Sequence, residues 1–177
     1  MLKYITALLM TCLTATSALS FETFPMGSYG DWDSSIQVTE SGNAYCVAST
    51  INDSGSLFDV SMSPNLGVHV FLVLNIPLED DFVANFRIQT ENTYWDLNKL
   101  HVTPIIENSV NIGLSHITWE INNPNTIQEF LQKLMTDNEL IFVDSDNEHV
   151  ARWSLKGSTK AFRDVAECVG KIKDPVT

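Results

Sequence analysis

From Ala44 onward the apolar residues recur at every second position, and the runs are cut at short intervals by Gly, Pro, Asn and Ser. Side chains of an extended strand point alternately to opposite faces, so this pattern limits the chain to strands with one covered face, joined by short turns. Ala44, Cys46 and Ala48 alternate with Tyr45, Val47 and Ser49, and Phe58, Val60 and Met62 alternate with Asp59, Ser61 and Ser63. Asn52-Asp53-Ser54-Gly55-Ser56 supplies the turn between them. Gly67 to Leu74 is apolar on both faces apart from His69 and predicts a central strand, ended by Asn75-Ile76-Pro77. Phe82, Ala84, Phe86 and Ile88 predict another half-buried strand. Leu97 to Ile106, Val110 to Leu114 and Ile117 to Ile121 are further candidates, with Pro104 pushing the first to an edge or a bulge. The order in which these strands pair is not readable from the pattern.

The period changes in the last third. Thr126-Ile127-Gln128-Glu129 reads as a capping box opening a helix whose buried stripe is Ile127, Phe130, Leu131 and Leu134. Leu140 to Val143 and His149 to Leu155 flank Asp144-Ser145-Asp146-Asn147-Glu148 and predict a hairpin. A second helix is expected from Gly157-Ser158, with Ser158 as its cap and with Phe162, Val165, Cys168 and Val169 on one face. The fold class that follows is mainly β, a single β-sandwich-like domain with two short α-helices in the C-terminal third.

The amino terminus predicts export. Lys3 is followed by a short apolar run, Ile5 to Leu13, and then by small and polar residues. That run is too short for a spanning helix and fits a signal peptide over residues 1–20. Ala18 and Ser20 suit cleavage before Phe21, with cleavage after Ala18 as the alternative. Cys12 does not read as a lipid-bearing terminus, since Thr11 is bulkier than the residue expected before such a cysteine. What remains is residues 21–177, enough for one domain with a real core. No later run is long and apolar enough for a transmembrane anchor, and the expected location is the periplasm or the extracellular space.

Export also decides how the cysteines are read. With Cys12 removed, Cys46 and Cys168 are left 122 positions apart. In an oxidising compartment such a pair predicts a disulfide, whereas the spacing is poor for a metal site. Two buried free thiols are the alternative.

Ten Lys and Arg stand against 22 Asp and Glu, a formal net charge of -12. Nucleic acid is thereby an unsuitable partner, because neutralising phosphates takes clustered cations. Anionic membrane surfaces are disfavoured for the same reason. His69, His101, His116 and His149 show no ligand spacing, so no metal site is predicted. Asp144, Asp146 and Glu148 alternate as at the start of a calcium loop, but the loop glycine is missing and Leu155 stands at the twelfth position, which leaves an acidic turn. Lys156-Gly157-Ser158 lacks the spacing of a phosphate loop. There is no nucleophile elbow and no S-x-x-K, so no catalytic residue and no cofactor is assigned. A small extracytoplasmic hydrolase with dispersed catalytic residues is the alternative. Among the aromatic residues, Tyr94 and Trp95, beside a turn, are the candidate exposed recognition surface, Trp95 foremost.

Gly30-Asp31-Trp32 near the start, Tyr45-Cys46-Val47-Ala48 on an early strand, and Trp153-Ser154-Leu155-Lys156-Gly157-Ser158 leading to a helix that ends Glu167-Cys168 form a layout that resembles the invasion-associated locus B family of exported bacterial proteins. The likeness covers the two ends of the chain and not residues 52–122. It implies a small β-sandwich-like domain in the periplasm or at the cell surface, an amphipathic helix and hairpin before the closing strand, and, in some members, a link to host-cell interaction. It brings no active-site residues. The expected function is therefore that of an exported non-catalytic domain binding a protein or envelope component.

Overall fold

A computed structural model describes residues 21–64, 67–76, 86–96, 105–109, 114–144 and 146–172. The expected signal peptide, most of the strand expected from Phe82, and His101 and Pro104 lie outside the described residues. Seven antiparallel strands form the larger sheet: β1 (Phe21–Tyr29), β2 (Trp32–Thr39), β3 (Ala44–Ile51), β4 (Leu57–Ser63), β5 (Gly67–Leu74), β8 (Ile105–Ser109) and β9 (Leu114–Ile121). Their order is β1-β2-β3-β4-β5-β9-β8. The smaller sheet runs β11-β10-β6-β7, built from β6 (Arg87–Gln89), β7 (Tyr94–Asp96), β10 (Glu139–Val143) and β11 (His149–Ser154). Helix α1 (Pro124–Thr136) joins β9 to β10, and α2 (Ser158–Lys171) follows β11. The chain is mainly β, with two helices in its C-terminal third, as the alternation predicts. No helix among the described residues is long and apolar enough to cross a membrane.

One face of the larger sheet carries the core; the other, the open face, is half-buried to exposed among the described residues except at Val47, which is buried. Phe58, Val60, Val70, Leu72, Ile117 and Trp119 are buried on the packed face. The smaller sheet covers part of it, with Trp153 set 5.7 Å from Phe58 and Phe86 set 5.8 Å from Trp119, ring centre to ring centre. Helix α2 covers the part formed by β1 to β4, and its Ala161, Phe162, Val165 and Cys168 are buried. Cys168, in the last turn of α2, is bonded to Cys46 on the packed face of β3, with 6.0 Å between their Cα atoms. The expected disulfide is thus in place, and it ties the final helix to the third strand.

The two ends of the chain meet in a second way. The turn after β1 lies against the turn before α2, and Asp31 donates its amide to the Lys156 carbonyl at 3.1 Å. Gly157 has φ +102, and a Cβ there would run into the Tyr29 carbonyl oxygen. Only glycine combines that dihedral with so close a backbone approach. The Trp32 indole donates to the Ser154 carbonyl at 2.9 Å.

Both helix starts differ from the expectation. Helix α1 begins one turn earlier than the capping box: its cap is Asn123, whose side-chain oxygen accepts from the amides of Asn125 and Thr126. Pro124 fills the first helical position, where its fixed φ is already helical and its missing N–H is no loss. Thr126 therefore receives the cap instead of supplying it. In α2 the cap position is Gly157, with no side-chain hydrogen bond, and Ser158 is buried as the first helical residue. The close approach to Tyr29 requires glycine there and displaces the serine by one position.

Candidate functional site

The pair chosen from sequence is split by the strand that carries it. On β7, Tyr94 points outward with 46% of its surface exposed, under the Arg87 guanidinium at 5.8 Å. Trp95 points inward, 1% exposed, edge-on to Phe130 of α1 at 5.2 Å. Trp95 is a core residue, which corrects the expectation of an exposed one, and the other three tryptophans are buried with it. The Asp144 carboxylate accepts from the amides of Asp146 and Glu148, at 2.9 and 2.8 Å, which makes it the acceptor that shapes the hairpin turn. Among the described residues no group of three His, Cys, Asp or Glu is arranged to hold a metal ion.

Beside the disulfide an open groove of about 470 Å³ runs between α2 and the first two strands. Met26, Ile36, Cys168 and Ile172 give it an apolar floor, and Tyr29, Asp164, Glu167 and Lys171 stand along it. Its charges are already engaged. One Asp164 oxygen accepts from the Tyr29 hydroxyl at 2.7 Å and from the Ser34 hydroxyl at 2.8 Å. That hydrogen bond to Asp164 raises the Tyr29 phenol above its ordinary value, with burial and the nearby carboxylates adding to it. Lys171 pairs with Glu167 at 3.7 Å, and Lys160 lies 5.9 Å from the centre of the Tyr29 ring.

The open face of the larger sheet is different in kind. Strand register sets its side chains in rows: Asp33, Ser49, Asp59, Phe71 and Thr118 across β2, β3, β4, β5 and β9, and in the next row Val47, Ser61, His69 and Glu120. Tyr45 stands edge-on to His69 at 6.5 Å, and His116 edge-on to Phe71 at 5.8 Å. Asp33 and Glu120 are exposed, while Asp59, Ser61, His69 and Phe71 are half-buried. Burial pushes the Asp59 carboxyl up to about 7, because ionisation is disfavoured where solvent is displaced. Oδ1 of Asp59 and Nε2 of His69 are both buried and have no hydrogen-bond partner among the described residues. Ser61, His69 and Asp59 have the composition of a nucleophile, base and orienter, but no hydrogen bond links them.

None of the seven strands carries a Lys or Arg, and none occurs from Phe21 through Phe86. The described cations lie instead on the smaller sheet, the helices and the turn before α2: Arg87, Lys133, Arg152, Lys156, Lys160, Arg163 and Lys171. The sequence displays this gap openly, yet only the strand order shows that it maps to one sheet. Asp59 was visible as the polar member of an alternating strand, with nothing local to mark it as half-buried. Comparison with protein families, with curated proteins and with solved structures gave no match.

Proposed function

We propose that the chain is an exported, non-catalytic domain that binds a protein or envelope component through the open face of its seven-stranded sheet. The observation that carries this reading is the lack of Lys and Arg in the strands of the larger sheet, whose open face gathers aromatic, imidazole and hydroxyl groups around the carboxylates of Asp33, Asp59 and Glu120. Such a face favours a partner surface that brings its own cations, and the like-signed field repels acidic ones. A disulfide between distant parts of the chain suits an oxidising compartment, which supports the export reading. The likeness to the invasion-associated locus B family belongs to the same proposal. Of the residues that carry it, Gly30, Trp32, Cys46, Ser154, Gly157 and Cys168 hold early and late parts of the chain against each other. They support a shared way of closing the fold, and host-cell interaction enters with the family.

The test uses residues 21–177 as bait against the native envelope fraction and against host-cell surface extracts. Two charge-reversed variants accompany it. Asp33→Lys with Glu120→Lys alters the open face, and Glu129→Lys with Glu148→Lys makes the same change in net charge at exposed positions off that face. A partner retained by the parent and the second variant but lost by the first is the expected outcome. Recovery of no specific partner, or equal loss with both variants, would sink the reading.

A further inference from the structure

The groove beside the disulfide, on the covered side of the sheet, has a charged end and an apolar length. Asp164, Cys168 and Ile172 recur at every fourth position along α2 and its cap, and all three line the groove. That spacing sets them in one row, about 12 Å long at the rise of a helix. Met26 of β1 and Ile36 of β2 line the same groove. Asp164, at the head of the row, is a carboxylate that no cation matches. Glu167 is paired with Lys171, whereas Asp164 makes no ion pair among the described residues. Lys160, one turn earlier, lies instead over the Tyr29 ring. What Asp164 does hold are two neutral donors, the hydroxyls of Tyr29 and Ser34, both on Oδ2. Oδ1 has no hydrogen-bond partner among the described residues, and it is not one of the polar atoms shut off from solvent. The carboxylate is thus fixed through one oxygen and reachable at the other.

These features select a ligand class. The unmatched carboxylate asks for a cation and repels an anionic amphiphile such as a fatty acid. Only one oxygen is available, which suits the point charge of an ammonium and not the two-pronged fork of a guanidinium. The apolar floor asks for a chain behind that charge, and its volume of about 470 Å³ falls within the roughly 300–1,000 Å³ of small-molecule sites. We propose that the groove is a binding site for a small aliphatic amine, with its ammonium on Oδ1 of Asp164 and its alkyl chain along Met26, Ile36 and Ile172. The site stands apart from the open face and does not rest on the reading of that face.

The probe is n-octylamine, protonated at pH 7, titrated calorimetrically into residues 21–177 beside 1-octanol and octanoate. The parent binds one amine per chain, at least roughly tenfold more tightly than the alcohol, the margin of a charge-assisted hydrogen bond, and does not bind octanoate. Asp164→Asn keeps an oxygen to accept from Tyr29 and Ser34 and lowers the amine to the affinity of the alcohol. Its affinity for the alcohol stays at the parent's value, which together with the emission of the four buried tryptophans reads intact folding. Met26→Gln weakens amine and alcohol together. The variant carrying Asp33→Lys and Glu120→Lys, altered only on the open face, binds the amine as the parent does. No binding, equal binding of amine and alcohol by the parent, or undiminished amine binding by Asp164→Asn overturns the site. Loss of amine binding in the open-face variant overturns it as well, since the amine would then follow overall acidity. Tighter binding of Nα-acetyl-lysine methylamide than of octylamine would assign the groove to a protein's lysine and overturn the free amine.

Discussion

Asp59 carries a stability prediction that does not depend on any partner. Its carboxyl is raised from 3.8 to about 7 by burial alone. A raised carboxyl means that the folded state holds its proton more tightly than the unfolded chain does. Stability from this residue is therefore complete below the unfolded value, and it is lost as pH rises through the folded one. The separation is about three units, and at roughly 1.4 kcal/mol per unit the full loss is about 4 kcal/mol. Part of the side chain remains in contact with solvent, which reduces the expected figure to about 2–4 kcal/mol. Asp59→Asn removes the charge at nearly constant shape. The variant should match the parent near pH 4 and exceed its stability progressively up to pH 8. For a domain of this size the gain corresponds to roughly 5–12 °C in Tm. Thermal unfolding followed by tryptophan emission at pH 4, 5, 6, 7 and 8, with the disulfide intact, gives the comparison. Differences in packing or in amide hydrogen bonding are independent of pH and cancel from the slope. A Tm difference that stays constant across this range refutes the reasoning, and so does one that moves in the parent's favour as pH rises.

Two further substitutions test how the ends are held. Cys46→Ser or Cys168→Ser opens a loop of 122 residues, and the chain-entropy model assigns such a loop about 5 kcal/mol; equal urea midpoints for parent and variant in non-reducing buffer would reject that contribution. Gly157→Ala places a Cβ on the Tyr29 carbonyl oxygen at a left-handed dihedral, so a loss of at least about 2 kcal/mol is expected by the same measurement, and a midpoint unchanged from the parent would show that the two turns do not press together.

Strands with one apolar face were legible because burial on that face is written into every second residue, as in Phe58 and Val60 of β4 or Val68, Val70, Leu72 and Leu74 of β5. β1 and β2 gave no such signal. Glu22, Thr23, Phe24 and Pro25 are all exposed, so neither side of that stretch has an apolar face, and β2 is half-buried along most of its length. These strands are held by pairing and by α2, both of which lie outside any local window. The burial of Trp95 escapes a local window for a related reason. Its neighbours Tyr94 and Asp96 belong to a turn-proximal, polar context, and the contact that buries it comes from Phe130, on a helix far along the chain. Asn123-Pro124 is itself a readable cap, but Thr126 and Glu129 match the stronger capping-box pattern three residues on.

The charges of the chain are unevenly spread along its length. Residues 21–148 hold three Lys and Arg against nineteen Asp and Glu, whereas residues 149–177 hold six against three. The second group belongs to β11, the turn before α2, α2 itself and the tail after it. Helix α2 packs on the covered side of the sheet, so the cations of the helix and the cation-free face lie on opposite sides of β1 to β4. The glycines, the Trp32 hydrogen bond and the disulfide are committed to holding the ends together. Asp59 takes no part in that closure, and as a half-buried carboxylate it lowers stability at neutral pH.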